Sequence, residues 1–446
     1  EQLWAAAAVA LASAACATMA VWRRREGWAF VSGLGVNLAA TIVVWHWNIV
    51  DRFRFADDFL MLLQANLIAG AAVALVWLAA HQRMYADRLL SISAGPLLGL
   101  QIALVALGNL LAIGIPLVEL VLEPGTIAGS LVQAGSRGGW LAWLLGAAAV
   151  AVYGQQVARR ELPHVLTAFM LGIGVLAAGA AAAWRGEAWL PYHVLLAAWA
   201  ASGFALLALA WGVAPRLAWL GSLTRAESLL ASLSVVELLV AALSMRGAWD
   251  DPGRPYWSAG ATLAAGMLAA IAAIGLRKPD HKYASGMLMN LAVVWAAVAV
   301  GRGWKVDYWL IHLIVLGAQA TVWSLLSRWL QWRGAGERHG ELPAFEHAAV
   351  AIASLLVCLT VFYNVLRAVG WVPHEIAADL PFDLATALDA TASRLVTPLA
   401  WGAWGATALA IVAMLGDGQA RYRWQGLYAI GLAGVGLAVE RTAGSP

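Results

Sequence analysis

Glu237 lies deep inside a long apolar stretch of the chain, where a carboxylate is out of place. A charge at mid-bilayer costs about 2.5–3.5 kcal/mol on insertion scales, so an acid at that depth needs a reason. Two are open: a proton or cation relay, or a protonated carboxyl hydrogen-bonded between helices. No Lys, Arg or second carboxylate occurs at comparable depth to serve a relay, which favours the second. A larger neutral set shares the apolar stretches: Asn37, Gln64, Asn66, Gln101, Asn109, Asn290, His312, Gln319 and Asn364. Asn37, Asn66, Asn290, His312 and Gln319 are the candidates for a polar cavity. Hydrogen bonding between membrane helices, at about 0.6 kcal/mol a contact, would account for them equally well.

Other chemistry finds little support. His46, His193 and His312 have no His partner one turn away, and no C-x-x-C-H occurs, so a haem is not expected. The phosphate-loop, H-E-x-x-H and G-x-S-x-G patterns are absent. No catalytic residue, metal or cofactor is therefore expected. Glu119 and Glu123 share a helix face beyond Pro116 and read as interfacial, while Thr224 and Glu227 have the spacing of a capping box. Asp51, Asp57 and Asp58 form an acidic loop that resembles, in acid content alone, that of membrane glycosyltransferases using lipid-linked sugars.

The elements that must hold these residues follow from composition. Of the 446 residues, 62% are hydrophobic and 12% charged, with a mean hydropathy of +0.75. Soluble domains carry about 25% charged residues, and disordered or disulfide-framed chains fail on the same numbers. An outer-membrane barrel would alternate apolar and polar residues. An all-α polytopic membrane protein remains. A span needs about 20 apolar residues, and fourteen such runs are found: 3–22, 28–49, 59–80, 95–120, 139–157, 164–184, 190–213, 223–245, 256–276, 283–301, 307–329, 346–368, 393–415 and 424–440. The first is read as a span and not a signal peptide, because Arg23, Arg24 and Arg25 follow it. Cys16 and Cys358 fall inside apolar runs and behave as small hydrophobes.

Connections after the odd-numbered spans hold most of the Lys and Arg and a minority of the acids. By the positive-inside rule these loops are cytoplasmic and both termini face outward, as in a bacterial inner membrane protein. Most of the 25 tryptophans, among them Trp22, Trp28, Trp45, Trp47, Trp184, Trp189, Trp304, Trp309, Trp329 and Trp332, stand at span ends, as an interfacial belt requires. The outward connection 369–392 places Phe382, Leu384, Leu388 and Ala392 on one face of a short interfacial helix.

Self-similarity adds a second level of order. Basic turns at Arg23–Glu26, Arg159–Glu161, Arg277–Asp280 and Arg421–Arg423 each join an Ala/Gly-rich span to a second span. Ser32-Gly33, Asn37-Leu38-Ala39 and Trp45 answer Ser285-Gly286, Asn290-Leu291-Ala292 and Trp295; Thr167, Ala168, Gly172 and Gln425-Gly426 stand at related places. Laying Trp77 on Trp323 aligns Asn66 with His312. The expected organisation is parallel four-helix repeats: 1–122, 138–245 and 256–368 complete, and 393–446 as two helices of a fourth.

This pattern suits a transporter or flippase for a neutral or amphipathic, lipid-like substrate. Two alternatives are a non-catalytic scaffold subunit of a membrane complex, and an outward-facing glycosyltransferase using lipid-linked sugars. Expected partners are membrane lipids and other membrane subunits. Nucleic acid is not expected, since the net charge of +3 forms no soluble basic patch.

Overall fold

The computed structural model describes residues 2–48, 55–87, 95–158, 163–212, 226–251, 255–276, 280–301, 307–332 and 398–415. Among them there is no strand. The helices are α1 (Gln2–Arg23), α2 (Glu26–Asn48), α3 (Phe55–Asp87), α4 (Pro96–Leu122), α5 (Gly129–Ala134), α6 (Arg137–Tyr153, continued by a π turn Gly154–Ala158), α7 (Pro163–Arg185), α8 (Leu190–Gly212), α9 (Ala226–Asp250), α10 (Pro255–Leu276), α11 (Asp280–Gly301), α12 (Asp307–Trp332) and α13 (Pro398–Leu415). Nine helices among the described residues are long and apolar enough to cross a membrane. Each predicted span within the described residues coincides with a helix, whereas the short α5 was not expected. Spans 346–368 and 424–440, the 369–392 connection, Asp51, Thr224, Asn364, and the basic turns at 159–161, 277–279 and 421–423 lie outside the described residues. Asp57 and Asp58, expected in an acidic loop, fall in the first turn of α3.

Local signals set the helix ends. Arg24 turns the chain with a left-handed φ of 53°, so α2 begins two residues later at Glu26. Pro96 opens α4, where its missing N–H costs nothing. The Glu26 carboxylate accepts a hydrogen bond from the Gly95 amide at 2.9 Å, tying the starts of α2 and α4 together. Ser136 caps α6 by accepting from the Gly139 amide at 3.2 Å.

The chain divides into two bodies, Glu1–Leu243 and Ser244–Pro446, with the division inside α9. In the first, α3 is central and packs against α2, α4, α5 and α6; α1 lies along α2, and α7 pairs with α8. Helix α6 packs chiefly on α3 and α4 and meets α7 through Trp143, whose ring lies 4.5 Å from that of Phe169 and against Gly172. In the second body α10 lies along α11 and α12 along α13. Ile314 meets Gly402, and Gly317 meets Ala406, so α12 and α13 run in the same direction. Large apolar side chains face outward along these helices, including Leu11, Trp22, Trp47, Val76, Leu238 and Met287. Trp184 is 79% exposed, whereas Trp77, Trp143, Trp199, Trp295 and Trp323 are buried, so the belt expected of the tryptophans describes only some of them.

Candidate functional site

In the first body the polar residues gather where α2, α3 and α4 meet. Helices α2 and α3 run antiparallel in a fixed register. Asn66 donates to Thr41 Oγ1 at 2.9 Å and to Leu62 O at 2.9 Å. Asn37 Oδ1 lies beside Gly70, and Val73 closes on Gly33. Gln101, buried on α4, donates to Gly70 O at 3.2 Å, and its amide also lies beside Gly33. Gly33 and Gly70 thus leave the room in which two amides converge. Asn37 and Asn66 are not bonded to each other; Thr41, one turn on, stands between them and donates to Asn37 O at 3.0 Å. Asn37 Oδ1 itself is buried and has no hydrogen-bond partner. Leaving a buried polar group unpaired costs about 1–3 kcal/mol.

In the second body α11 and α12 carry the candidate residues Asn290, His312 and Gln319. His312 Nδ1 lies 3.1 Å from Asn290 Oδ1. Asn290 Nδ2 donates to Gly286 O at 2.8 Å, which leaves its oxygen as the acceptor and makes His312 Nδ1 the donor. At the other end of this seam Lys282 is fully buried, its Nζ 5.0 Å from the Trp323 ring centroid. Between these two rungs stands Gln319, one turn from Trp323 and two from His312 on the same face of α12. Gln319 is 8% exposed, and neither its amide nitrogen nor its oxygen has a partner.

The five candidate cavity residues thus fall into two groups. Asn37 and Asn66 flank one seam in the first body, and Asn290, His312 and Gln319 line another in the second. Glu237 is buried in α9 and engaged in an interaction. Glu119 accepts from Ser130 Oγ on α5, and Glu123 accepts from Thr126 Oγ1 at 3.3 Å. His46 bonds Gln2 at 2.8 Å. No cluster of three metal-ligating side chains occurs among the described residues.

Comparison of the chain with protein-family models, with curated proteins and with solved structures returned no match.

Sequence reasoning missed several polar residues. Gln133 on α5 donates to Gln64 Oε1 at 2.9 Å, while Gln64 donates to Gln133 O at 3.1 Å. Lys282 falls in the connection between the expected spans 256–276 and 283–301, yet α11 already begins at Asp280 and Lys282 is buried. Its spacing of four from Gly286 and eight from Asn290 is the signal that would have placed it on the polar face. His281, not singled out from the sequence, is buried as well, and so is His193; both are engaged in interactions.

Proposed function

We propose that the protein is an integral membrane transporter or flippase for a neutral or amphipathic, lipid-like substrate. The observation that carries this reading is a set of buried amide groups without protein partners, Asn37 Oδ1 and both polar atoms of Gln319, in helices with apolar outer surfaces. Buried amides in proteins are nearly always satisfied. Groups that are not suggest a guest that supplies the missing bonds, and neutral amides suit a neutral guest. The outward-facing Trp, Leu and Met side chains support a lipid surrounding, because contiguous apolar surface of this extent does not face water.

The parallel repeat, part of the same proposal, gains support from matched contacts. In the first repeat Ser13 of α1 sits against Gly35 of α2, and Ser32 Oγ donates to Ser13 O at 2.8 Å. In the third, Gly266 of α10 sits against Met289 and Leu288 of α11, with Ser285 buried at the place of Ser32. The small residue has changed helix while the contact has stayed. The common direction of α12 and α13 is also what spans eleven and thirteen of a fourteen-span chain need. Fourteen spans, cytoplasmic odd-numbered loops, outward termini and a bacterial inner membrane belong to this reading.

Reconstitution tests it. Vesicles carrying the purified protein and a trace of fluorescent glucosyl lipid are treated with a membrane-impermeant quencher. Loss of essentially all the signal, against half in protein-free vesicles, is the expected result. Half the signal in both, with co-purifying membrane subunits, would support the scaffold instead.

A further inference from the structure

The chemistry of Gln319 restricts what the second body can bind. Its amide offers a donor and an acceptor side by side. Both are buried at 8% exposure and both are unpaired. We infer that Gln319 is the anchor of a binding site on the α11–α12 seam for a neutral group presenting an acceptor next to a donor, such as a vicinal diol or an amide, on an amphipathic ligand. This rests on the transport reading above and names its substrate class.

A carboxylate would pair only with the nitrogen of Gln319, and an alkylammonium only with its oxygen, so each leaves half of the amide unpaired. The neighbouring groups do not alter that choice. Asn290 is consumed by Gly286 O and His312. Lys282 lies over the Trp323 ring and has further interactions. His312, two turns along α12, has Nδ1 committed to Asn290, so its remaining ring nitrogen, Nε2, is an acceptor and adds no charge to the seam.

The first repeat provides the contrast. Laying Trp77 on Trp323 puts Val73 at the place of Gln319, and the Val73 methyl closes on Gly33. Gly33 answers Gly286, and the rungs at Asn290–His312 and Lys282–Trp323 bring Gln319 level with it. The equivalent position therefore carries an apolar side chain in one repeat and a buried, unpaired amide in the other.

The test measures equilibrium binding of tritiated dodecyl glucoside to the full-length protein in lipid nanodiscs. Unlabelled dodecyl glucoside, dodecanoate and dodecylammonium serve as competitors. The expected result is saturable binding displaced by the glucoside at least tenfold better than by either charged amphiphile. Gln319→Leu should weaken binding tenfold or more while leaving the thermal unfolding temperature equal to or above wild type, because it removes a buried unpaired amide. Val73→Leu, in the first repeat, should bind as wild type. Equal binding by Gln319→Leu, equal competition by the charged amphiphiles, or no saturable binding would each overturn the inference. A marked loss of stability in Gln319→Leu would also overturn it, by showing that the amide serves the fold. Glucoside binding with no lipid scrambling would overturn transport and leave the site standing. Scrambling without dependence of binding on Gln319 would do the reverse.

Discussion

Hydrogen bonds at Asn290 and His312 illustrate how one amide can fix the state of a neighbouring ring. Asn290 Nδ2 is committed to Gly286 O, so its oxygen holds His312 in the tautomer protonated on Nδ1. Asn290→Leu removes that acceptor, and the ring should lose its preference and gain the Nε2–H form. Nitrogen-15 spectra of ring-labelled protein, with His312 assigned by difference against His312→Ala, read the tautomer directly. An unchanged Nδ1–H ring in Asn290→Leu would mean that some other group sets it. The polarity of these residues was legible in the sequence, because a histidine and an asparagine stand out in an apolar run. Their direct contact was not, because it depends on the register between α11 and α12. Asn37 and Asn66, matched to them in the sequence, show why: there Asn66 reaches Thr41 and not Asn37.

Among the elements, the long helices were legible because an unbroken apolar run of span length has one way to satisfy its backbone in a nonpolar setting. Helix α5 was not, since six residues with a serine and a glutamine carry no period and resemble a loop. Its place is set by backbone contact. A Cβ on Gly135 would lie 2.1 Å from the Ala180 nitrogen, and one on Gly179 would lie 2.2 Å from Leu131 O. Neither neighbour is a flexible side chain. Gly135→Ala should therefore destabilise the protein by about 1–3 kcal/mol through overpacking of α5 on α7. Thermal or denaturant unfolding of the detergent-solubilised protein measures it, and wild-type stability would show that α5 does not hold α7 so closely. The burial of Lys282 was illegible for a related reason: a lysine following a basic turn reads as part of that turn until the helix start is known.

For the whole molecule, the distribution of charge along the chain predicts which ends of the helices share a side of the membrane. Single cysteines placed in the 23–26 turn and in the 369–392 connection, in a protein with Cys16 and Cys358 replaced, should react with an impermeant thiol reagent from opposite sides. Reaction of both from the same side would contradict the orientation. The most direct test of the account asks whether the polar seam, and not the outer surface, is wet. In the same cysteine-free background, cysteines are placed singly at Asn290, His312 and Gln319 along the seam, and at Met287 and Val322, which are 74% and 60% exposed on the outer surface. Labelling of membrane-embedded protein by an impermeant thiol reagent is predicted at the three seam positions, slowed by dodecyl glucoside at Asn290, where the anchor Gln319 is intact, and not at Met287 or Val322. Labelling at Met287 and Val322 with none along the seam would contradict it.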